Sequence, residues 1–282
     1  MNEHDPGVEN NAAELYLDLL KRSLTGLLRP QLYVEAAPPQ TPWKAQVYKR
    51  FEALLASTNR RIVSLVPYEP DLRATGRECW PPEAESMIGL LRLENIQKCI
   101  QSVVRENIAG DVIETGVWRG GATIFMRAAL EAYGDREKTV WVADSFEGLP
   151  PPDASYPADA GDSHFTYSPL AVSVEQVKEN FRRYKLLDQR VRFLTGWFKD
   201  TLPSAPIERL SVLRLDGDMY QSTMDAISAL YPKLSVGGYC IVDDYLWHKP
   251  CAQAVEDYCR THGINKIIHN VDWTGVYWRR ER

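Results

Sequence analysis

The chain contains 282 residues, of which 44% are hydrophobic and 25% are charged, and its formal net charge is −5. These are ordinary values for a folded protein, so the composition excludes a disordered or fibrous chain. Because the charge balance is acidic and no stripe of basic and aromatic residues interrupts it, there is little electrostatic basis for binding nucleic acid. We expect no nucleic-acid partner.

The sequence shows neither a targeting segment nor a cysteine framework. Its first residues are polar and acidic, where a secretory signal needs a positive start, and no run of about 18 apolar residues follows. We therefore expect a soluble, cytoplasmic protein with no membrane partner. Five cysteines without a C-x-x-C pair predict reduced thiols rather than disulfides or a zinc site.

The N-terminal third is predicted to be a helical extension. Residues 1–12 are expected to form a disordered tail, after which "AAELYLDLLKRSLTGLL" places leucines at helical spacing. Prolines then separate a second helix, from Trp43 to about Ala56, and no sheet is expected here. The loop "VPYEPDLRATGRECWPPEAES" is long enough to be a lid, and Ser86 or a neighbour can cap the helix after it. Residues 13–107 are therefore predicted to be an extension and lid.

From Asp111 onward, short apolar strands alternate with helices, which predicts a mostly parallel sheet covered on both faces. The last runs, "INKIIHNV" and "VYWRR", flank a turn and predict an antiparallel hairpin at the sheet edge. The predicted fold is α/β and doubly wound (Rossmann-like), with a C-terminal antiparallel hairpin. Residues 108–282 are expected to form this domain.

The first strand ends in "ETGVWRGGA", and ligands of such sheets bind at the carboxyl ends of the strands. Its spacing departs from the G-x-G-x-x-G dinucleotide fingerprint, and an acid stands where the tight turn begins. A pyrophosphate is therefore a poor fit. Glu114 and Gly116 instead suit a ligand with a positive amino group, and S-adenosylmethionine has one.

The next two strand ends supply further candidates for the same ligand. Asp144 stands where an acid accepts hydrogen bonds from ribose hydroxyls in nucleotide-binding α/β folds. Gly196 and Trp197 could form an adenine face, although an aromatic residue at a strand end is about as often part of the core. Glu114 and Asp144 could alternatively cap the helices that follow them.

Four aspartates follow the fourth and fifth strands: Asp216, Asp218, Asp243 and Asp244. Carboxylates brought this close share protons or hold a cation, and oxygen ligands of this kind suit Mg²⁺. We expect Asp216, Asp243 and Asp244 to bind the metal, which leaves Asp218 to accept a proton from a substrate hydroxyl. His248 is a second candidate base. The alternative is that two of the acids cap helices and the others are solvated.

The motifs resemble a known family. "GDVIETGVWRGGATIFMR", "VWVADSFEGLP", the long stretch from "LTGWFKDTLP" to "CIVDDY" and the closing "WRR" are similar to the macrocin O-methyltransferase family, from about Ala13 to Arg280. The resemblance implies a class I methyltransferase fold, S-adenosylmethionine as donor, Mg²⁺ held by Asp216, Asp243 and Asp244, and Asp218 as base.

The same motifs extend the expected cofactor site. "AESMIGLLRL" resembles the family's segment before the first strand, which implies that Met87 lies against the cofactor. The motifs after the first two strands add Thr115, Gly120 and Ser145 as cofactor-binding positions. The loop "PPDASYPADAGDSHFTY" matches least and leaves the acceptor open.

We expect an S-adenosylmethionine- and Mg²⁺-dependent enzyme that methylates a sugar hydroxyl of a glycosylated secondary metabolite, as in antibiotic tailoring. A metal-dependent catechol or phenol O-methyltransferase would use similar acids. A non-catalytic cofactor-binding scaffold is a third possibility, against which the intact acids argue. The aromatic-containing helical extension favours a homodimer or higher homo-oligomer.

Overall fold

The β/α alternation of the sequence folds into one seven-stranded sheet with helices on both faces. The computed structural model describes residues 6–29, 32–66, 69–77 and 83–281, and at residues 6–11, 32–35 and 66 it describes the backbone alone. The strands are β1 (Leu32–Glu35), β2 (Val63–Val66), β3 (Asp111–Thr115), β4 (Val140–Asp144), β5 (Val191–Thr195), β6 (Leu210–Leu215), β7 (Leu234–Val242), β8 (His269–Asn270) and β9 (Val276–Arg279). The α-helices are α1 (Pro6–Leu24), α2 (Pro42–Ala56), α3 (Pro70–Thr75), α4 (Leu90–Arg105), α5 (Gly121–Ala132), α6 (Val174–Arg183), α7 (Phe198–Thr201), α8 (Tyr220–Leu230) and α9 (Lys249–Thr261).

The strand order of the large sheet is β5-β4-β3-β6-β7-β9-β8. Strands β3 to β7 pair in parallel, so their carboxyl ends lie along one edge, and β9 pairs antiparallel with both β7 and β8. The predicted C-terminal hairpin is confirmed. The order reverses between β3 and β6, the position where open α/β sheets bind ligands.

Two apolar clusters cover the two faces of the sheet. One contains side chains of α1, α4, α5 and α6, and the other contains those of α8 and α9 with the closing strand. Alternate residues of β3 take opposite sides, with Val112 in the first cluster and Ile113 in the second. Both faces are covered, which is why the strands are mostly apolar.

The N-terminal extension differs from its prediction. Helix α1 begins at Pro6, within the stretch expected to be a disordered tail. The prediction that no sheet forms here is wrong, because β1 and β2 pair as an antiparallel two-stranded sheet on either side of α2. The predicted second helix is confirmed, but it buries no residue, and Trp43, Phe51 and Leu54 are exposed.

The segment before the large sheet also contains more structure than a loop. Helix α3 lies within the predicted lid, and residues 78–82, including Cys79, fall outside the described ranges. Helix α4 begins at Leu90 with Gly89, a neighbour of Ser86, as its N-cap, and no side chain caps it. The four described cysteines are free and buried, and none of the described helices is long and apolar enough to cross a membrane.

Candidate active site

A cavity of about 350 Å³ opens at the carboxyl ends of the parallel strands. Side chains after β3 and β4 line one half, here called the β3–β4 half, and side chains after β6 and β7 line the other, the β6–β7 half. A volume of this size suits a small organic ligand.

The turn after β3 depends on a glycine. Gly116 has φ +88°, a conformation that disfavours other residues, and a Cβ there would collide with the main-chain oxygen of Asp216. The turn therefore lies directly against the end of β6. This close approach joins the two halves of the cavity.

Glu114 is buried on the cavity wall and pairs with Arg214, its register neighbour on β6. Burial raises the pKa of Glu114 to about 8, although the charge of Arg214 acts to lower it. Its second oxygen is buried and has no hydrogen-bond partner within the described chain. An unpartnered carboxylate oxygen at this depth is costly unless a ligand meets it.

Asp144 ends β4 and accepts two main-chain hydrogen bonds. The N–H of Val117 donates to one of its oxygens at 2.7 Å, and the N–H of Phe146 donates to the other at 2.8 Å. Desolvation raises the pKa of this carboxyl, and the main-chain donors lower it. Asp144 thus orders the two turns beside it rather than the first turn of α5, which begins at Gly121.

Other predicted cofactor residues divide into two groups. Met87, Ser145 and Trp197 lie on the cavity wall together with Glu114, Gly116 and Asp144. Thr115, Gly120 and Gly196 do not. Thr115 is buried with its hydroxyl directed to the main-chain oxygen of Arg214, and a side chain at Gly120 would press on Val177 of α6.

The β6–β7 half contains the four aspartates predicted to converge, which we call the acid cluster: Asp216, Asp218, Asp243 and Asp244. Carboxylate oxygens of Asp216, Asp243 and Asp244 lie within 4.8 Å of one another. Burial raises the pKa of Asp216 to about 6, that of Asp218 to about 7, and that of Asp244 well above its ordinary value. The neighbouring carboxylates add to each shift.

Two buried arginines partly neutralise the acid cluster. Arg214 pairs with Asp216 at 2.6 Å and also pairs with Asp243. Arg92, from the first turn of α4, pairs with Asp243 and with Asp272. The only sign of Arg92 in the sequence is that a charged residue stands among the apolar positions of an amphipathic helix, and sequence analysis missed it.

The residues present fit a divalent metal ion. The guanidinium groups of Arg92 and Arg214 pair with Glu114, Asp216 and Asp243, whereas Asp218 and Asp244 form no ion pair within the described chain. In the described chain, one buried oxygen of Asp244 has no hydrogen-bond partner. Three close carboxylates with a free oxygen form the donor set that Mg²⁺ prefers. Asp216, Asp243 and Asp244 could hold such an ion.

The two histidines near the acid cluster have different positions. His164 lies on the cavity wall, and sequence analysis gave it no role. His248, the second candidate base, does not line the cavity, and its ring stacks on Trp247. Burial lowers the pKa of His248. Its Nε2 atom lies 3.6 Å from Asp162, beyond hydrogen-bonding distance.

Comparison with known proteins identifies the family of this chain. The family model for the macrocin O-methyltransferases (TylF) matches residues 13–280. The chain belongs to this family. It is an O-methyltransferase with the class I methyltransferase fold, as the motifs predicted.

Three curated relatives are 43% to 53% identical to this chain and cover 76% to 96% of it. Demethyldecarbamoylnovobiocin O-methyltransferase of Streptomyces niveus is 53% identical over 76% of this chain and 82% of its own. The 8-demethyl-8-(2,3-dimethoxy-alpha-L-rhamnosyl)-tetracenomycin-C 4'-O-methyltransferase of Streptomyces olivaceus is 48% identical, covering 95% and 94%. Mycinamicin III 3''-O-methyltransferase of Micromonospora griseorubida is 43% identical, covering 96% and 98%.

Solved structures show the same fold. The O-methyltransferase NovP matches with a TM-score of 0.81 and 45% identity, over 96% of this chain and all of that one. The calicheamicin methyltransferase CalS11 matches with a TM-score of 0.55 at 15% identity, covering 86% and 94%, which is a likeness of fold alone.

Proposed function

We propose that this O-methyltransferase transfers a methyl group from S-adenosylmethionine to a sugar hydroxyl of a glycosylated secondary metabolite, with Mg²⁺ bound at the acid cluster. The observation that carries the proposal is the meeting of three close carboxylates with a free carboxylate base on one wall of a cavity. A hydroxyl is a weak nucleophile. This arrangement would supply a metal ion that lowers the pKa of the hydroxyl and a base that accepts its proton.

The names of the relatives support the acceptor class. One is named for a rhamnosyl derivative of tetracenomycin C, and two others for derivatives of novobiocin and mycinamicin. A sugar hydroxyl on an antibiotic is therefore the acceptor that we infer for this chain.

The β3–β4 half is suited to the donor. S-adenosylmethionine supplies an electrophilic methyl group on a sulfonium. The unpartnered oxygen of Glu114 can accept a hydrogen bond from the ammonium group of the donor, and Asp144 has lone pairs left for ribose hydroxyls. Met87 and Trp197 add apolar side chains to the cavity wall. The wall therefore has polar groups for the charged parts of the donor and apolar groups for the rest.

The β6–β7 half is suited to the acceptor. Mg²⁺ at Asp216, Asp243 and Asp244 would lower the pKa of a bound hydroxyl. The Asp218 carboxylate, on the same cavity wall, would take the hydroxyl proton as general base. Walls that exclude water and align oxygen with the methyl carbon supply much of the rate.

Methyl transfer to defined acceptors tests the proposal. The purified protein is incubated with S-adenosylmethionine, Mg²⁺ and a panel of aryl 6-deoxyhexosides and catechols, and S-adenosylhomocysteine is quantified. We expect turnover of glycosides only, abolished by thorough chelation and restored by Mg²⁺. Turnover of catechols alone would show that the acceptor is a phenol and not a sugar. Undiminished activity after chelation would show that the reaction needs no metal. Tight binding of the donor without turnover would favour a non-catalytic scaffold.

The assembly and location stay predictions. A homodimer is supported by the exposed apolar side chains of α2, since unburied aromatic residues often mark a subunit contact. Light scattering on the purified chain tests this, and a cytoplasmic location is tested by fractionating the producing cells.

A further inference from the structure

The loop of residues 151–167, between β4 and α6, is anchored beside the acid cluster. Asp159 is buried and accepts the main-chain N–H groups of Tyr220 at 2.7 Å and Gln221 at 3.0 Å. These two residues begin α8, directly after Asp218 and Met219. The loop is thus fixed to the turn that carries the proposed base.

His164 of this loop is held in one orientation. Buried Asp162 accepts the main-chain N–H of His164 through one oxygen and contacts ring Nδ1 through the other, both at 2.8 Å. Because an ionised carboxylate only accepts hydrogen bonds, the Nδ1 atom must carry the proton. The neutral ring therefore has its lone pair on Nε2. The side chain is 43% exposed and lies on the cavity wall.

Two tryptophans continue the wall beside His164. The ring of Trp247 meets the His164 ring edge-on at 6.0 Å and the Trp273 ring at 6.5 Å. The Nε1 atom of Trp273 donates to the main-chain oxygen of Thr75, and the guanidinium of Arg77 lies over its ring. Trp247 is 52% exposed although it faces the cavity. An exposed indole fixed on a cavity wall is suited to cover an apolar surface of a ligand.

We propose that His164, Trp247 and Trp273 form the subsite that binds the acceptor sugar, a set of residues here called the acceptor wall. In this subsite, His164 Nε2 accepts a hydrogen bond from a sugar hydroxyl next to the one that is methylated. The two indoles cover the apolar face of the ring, and Asp162 acts as the residue that positions His164. The inference rests on the proposed function and adds the part of the sugar that the enzyme recognises.

The position of the acceptor wall relative to both halves of the cavity supports this role. The groups suited to the donor, Glu114 and Asp144, end β3 and β4. The acceptor wall instead adjoins the acid cluster: Trp247 lies three residues after Asp244, and the loop that carries His164 is anchored by Asp159 to the start of α8, just after Asp218. A sugar bound at the metal therefore meets His164 and the indoles, not the donor residues.

Energetic coupling between one side chain and one hydroxyl tests the inference. The acceptors are 4-nitrophenyl α-L-rhamnoside and its monodeoxy analogues, and the variants are His164→Phe, His164→Gln and the control His269→Phe, an exposed ring on β8. For His164→Phe we expect the KM of the full acceptor to rise about tenfold, the worth of one hydrogen bond, with little change in kcat or in the Kd of S-adenosylmethionine. His164→Gln should recover part of the loss.

The deoxy acceptors distinguish recognition from general damage. One monodeoxy analogue should lose about tenfold in kcat/KM with the wild type and nothing further with His164→Phe. Trp247→Ala should raise the KM of every acceptor alike. Equal losses for all analogues in His164→Phe, or an unchanged KM, would overturn the acceptor wall while leaving the proposed function intact. No turnover of any glycoside by the wild type would overturn both.

Discussion

The β3–β4 half and the β6–β7 half of the cavity satisfy their acids by different means. Asp144 in the first is held by main-chain N–H groups of the two turns next to it. The acid cluster in the second is held by the side chains of Arg214 and of Arg92, which comes from a helix far away in sequence. Local hydrogen bonds order the turns after β3 and β4, whereas long-range ion pairs order the acid cluster. Arg214 connects the two halves, because it also pairs with Glu114.

This difference separates two tasks. Main-chain donors in tight turns are rigid and suit a cofactor that always has the same shape. Charged side chains can change position when a cation or substrate binds. In the absence of a cation, the neighbouring carboxylates repel one another. Removing groups from each half should therefore have different consequences, and the following variants test this from the largest expected effect to the smallest.

The largest effect is expected for Asp218→Asn, which removes the proposed base and keeps the shape of the side chain. We expect kcat to fall by about 10²- to 10⁴-fold while the Kd of S-adenosylmethionine is unchanged. Initial rates and calorimetric titration measure the two quantities. Asp225→Asn, on α8 outside the cavity, serves as the control. Full turnover by Asp218→Asn would assign the proton transfer to another group.

Arg214→Met should leave the buried acids without their shared partner. Breaking a buried ion pair by removing one side costs about 3–5 kcal/mol, so we expect a loss of this order in the free energy of unfolding. Urea denaturation measures it, with the exposed Arg192→Met expected to change stability by less than about 0.5 kcal/mol. Saturating Mg²⁺ should restore part of the loss. A variant as stable as the wild type would show that the acids are protonated rather than paired.

Asp244→Asn should weaken metal binding without unfolding the protein. Asp244 has an oxygen with no hydrogen-bond partner in the described chain, so little is lost from the metal-free structure. We expect the Kd for Mn²⁺, followed by electron paramagnetic resonance, to rise by more than about 100-fold. Asp200→Asn, at an exposed site on α7, should bind as the wild type does. Equal affinities would exclude Asp244 as a ligand.

The smallest effect concerns the dependence of stability on pH in the metal-free protein. Burial raises the pKa of Glu114 from 4.5 to about 8, so the protonated form favours the folded state. This contribution is fully present below pH 4.5 and is lost as the pH rises toward 8. His248, whose pKa is lowered, acts oppositely but only below its ordinary value of 6.5.

Glu114→Gln should therefore show a shallower fall in Tm between pH 6.5 and 8 than the wild type, because the other raised carboxyls remain. Differential scanning calorimetry measures the slopes, with the exposed Glu208→Gln as control. A steeper fall in Glu114→Gln would mean that Glu114 is ionised in the folded protein.

Local patterns predicted the large sheet well. The apolar runs at β3 to β7 and the glycine after β3 determine the strands and the first turn through spacing and backbone freedom alone. The pairing of β1 with β2 was missed because each strand has only four residues and a helix separates them. Strands this short give too little alternation to distinguish them from a loop.

The sequence by itself determined that acids gather at the ends of β6 and β7, because parallel strands carry their carboxyl ends to one edge. Only the tertiary structure decided their partners. Arg92 reaches Asp243 across 151 residues of chain, and His164 reaches the cavity through a loop fixed by Asp159. Such contacts depend on which surfaces pack together. The local spacing of residues does not show which segments far apart in the sequence will meet.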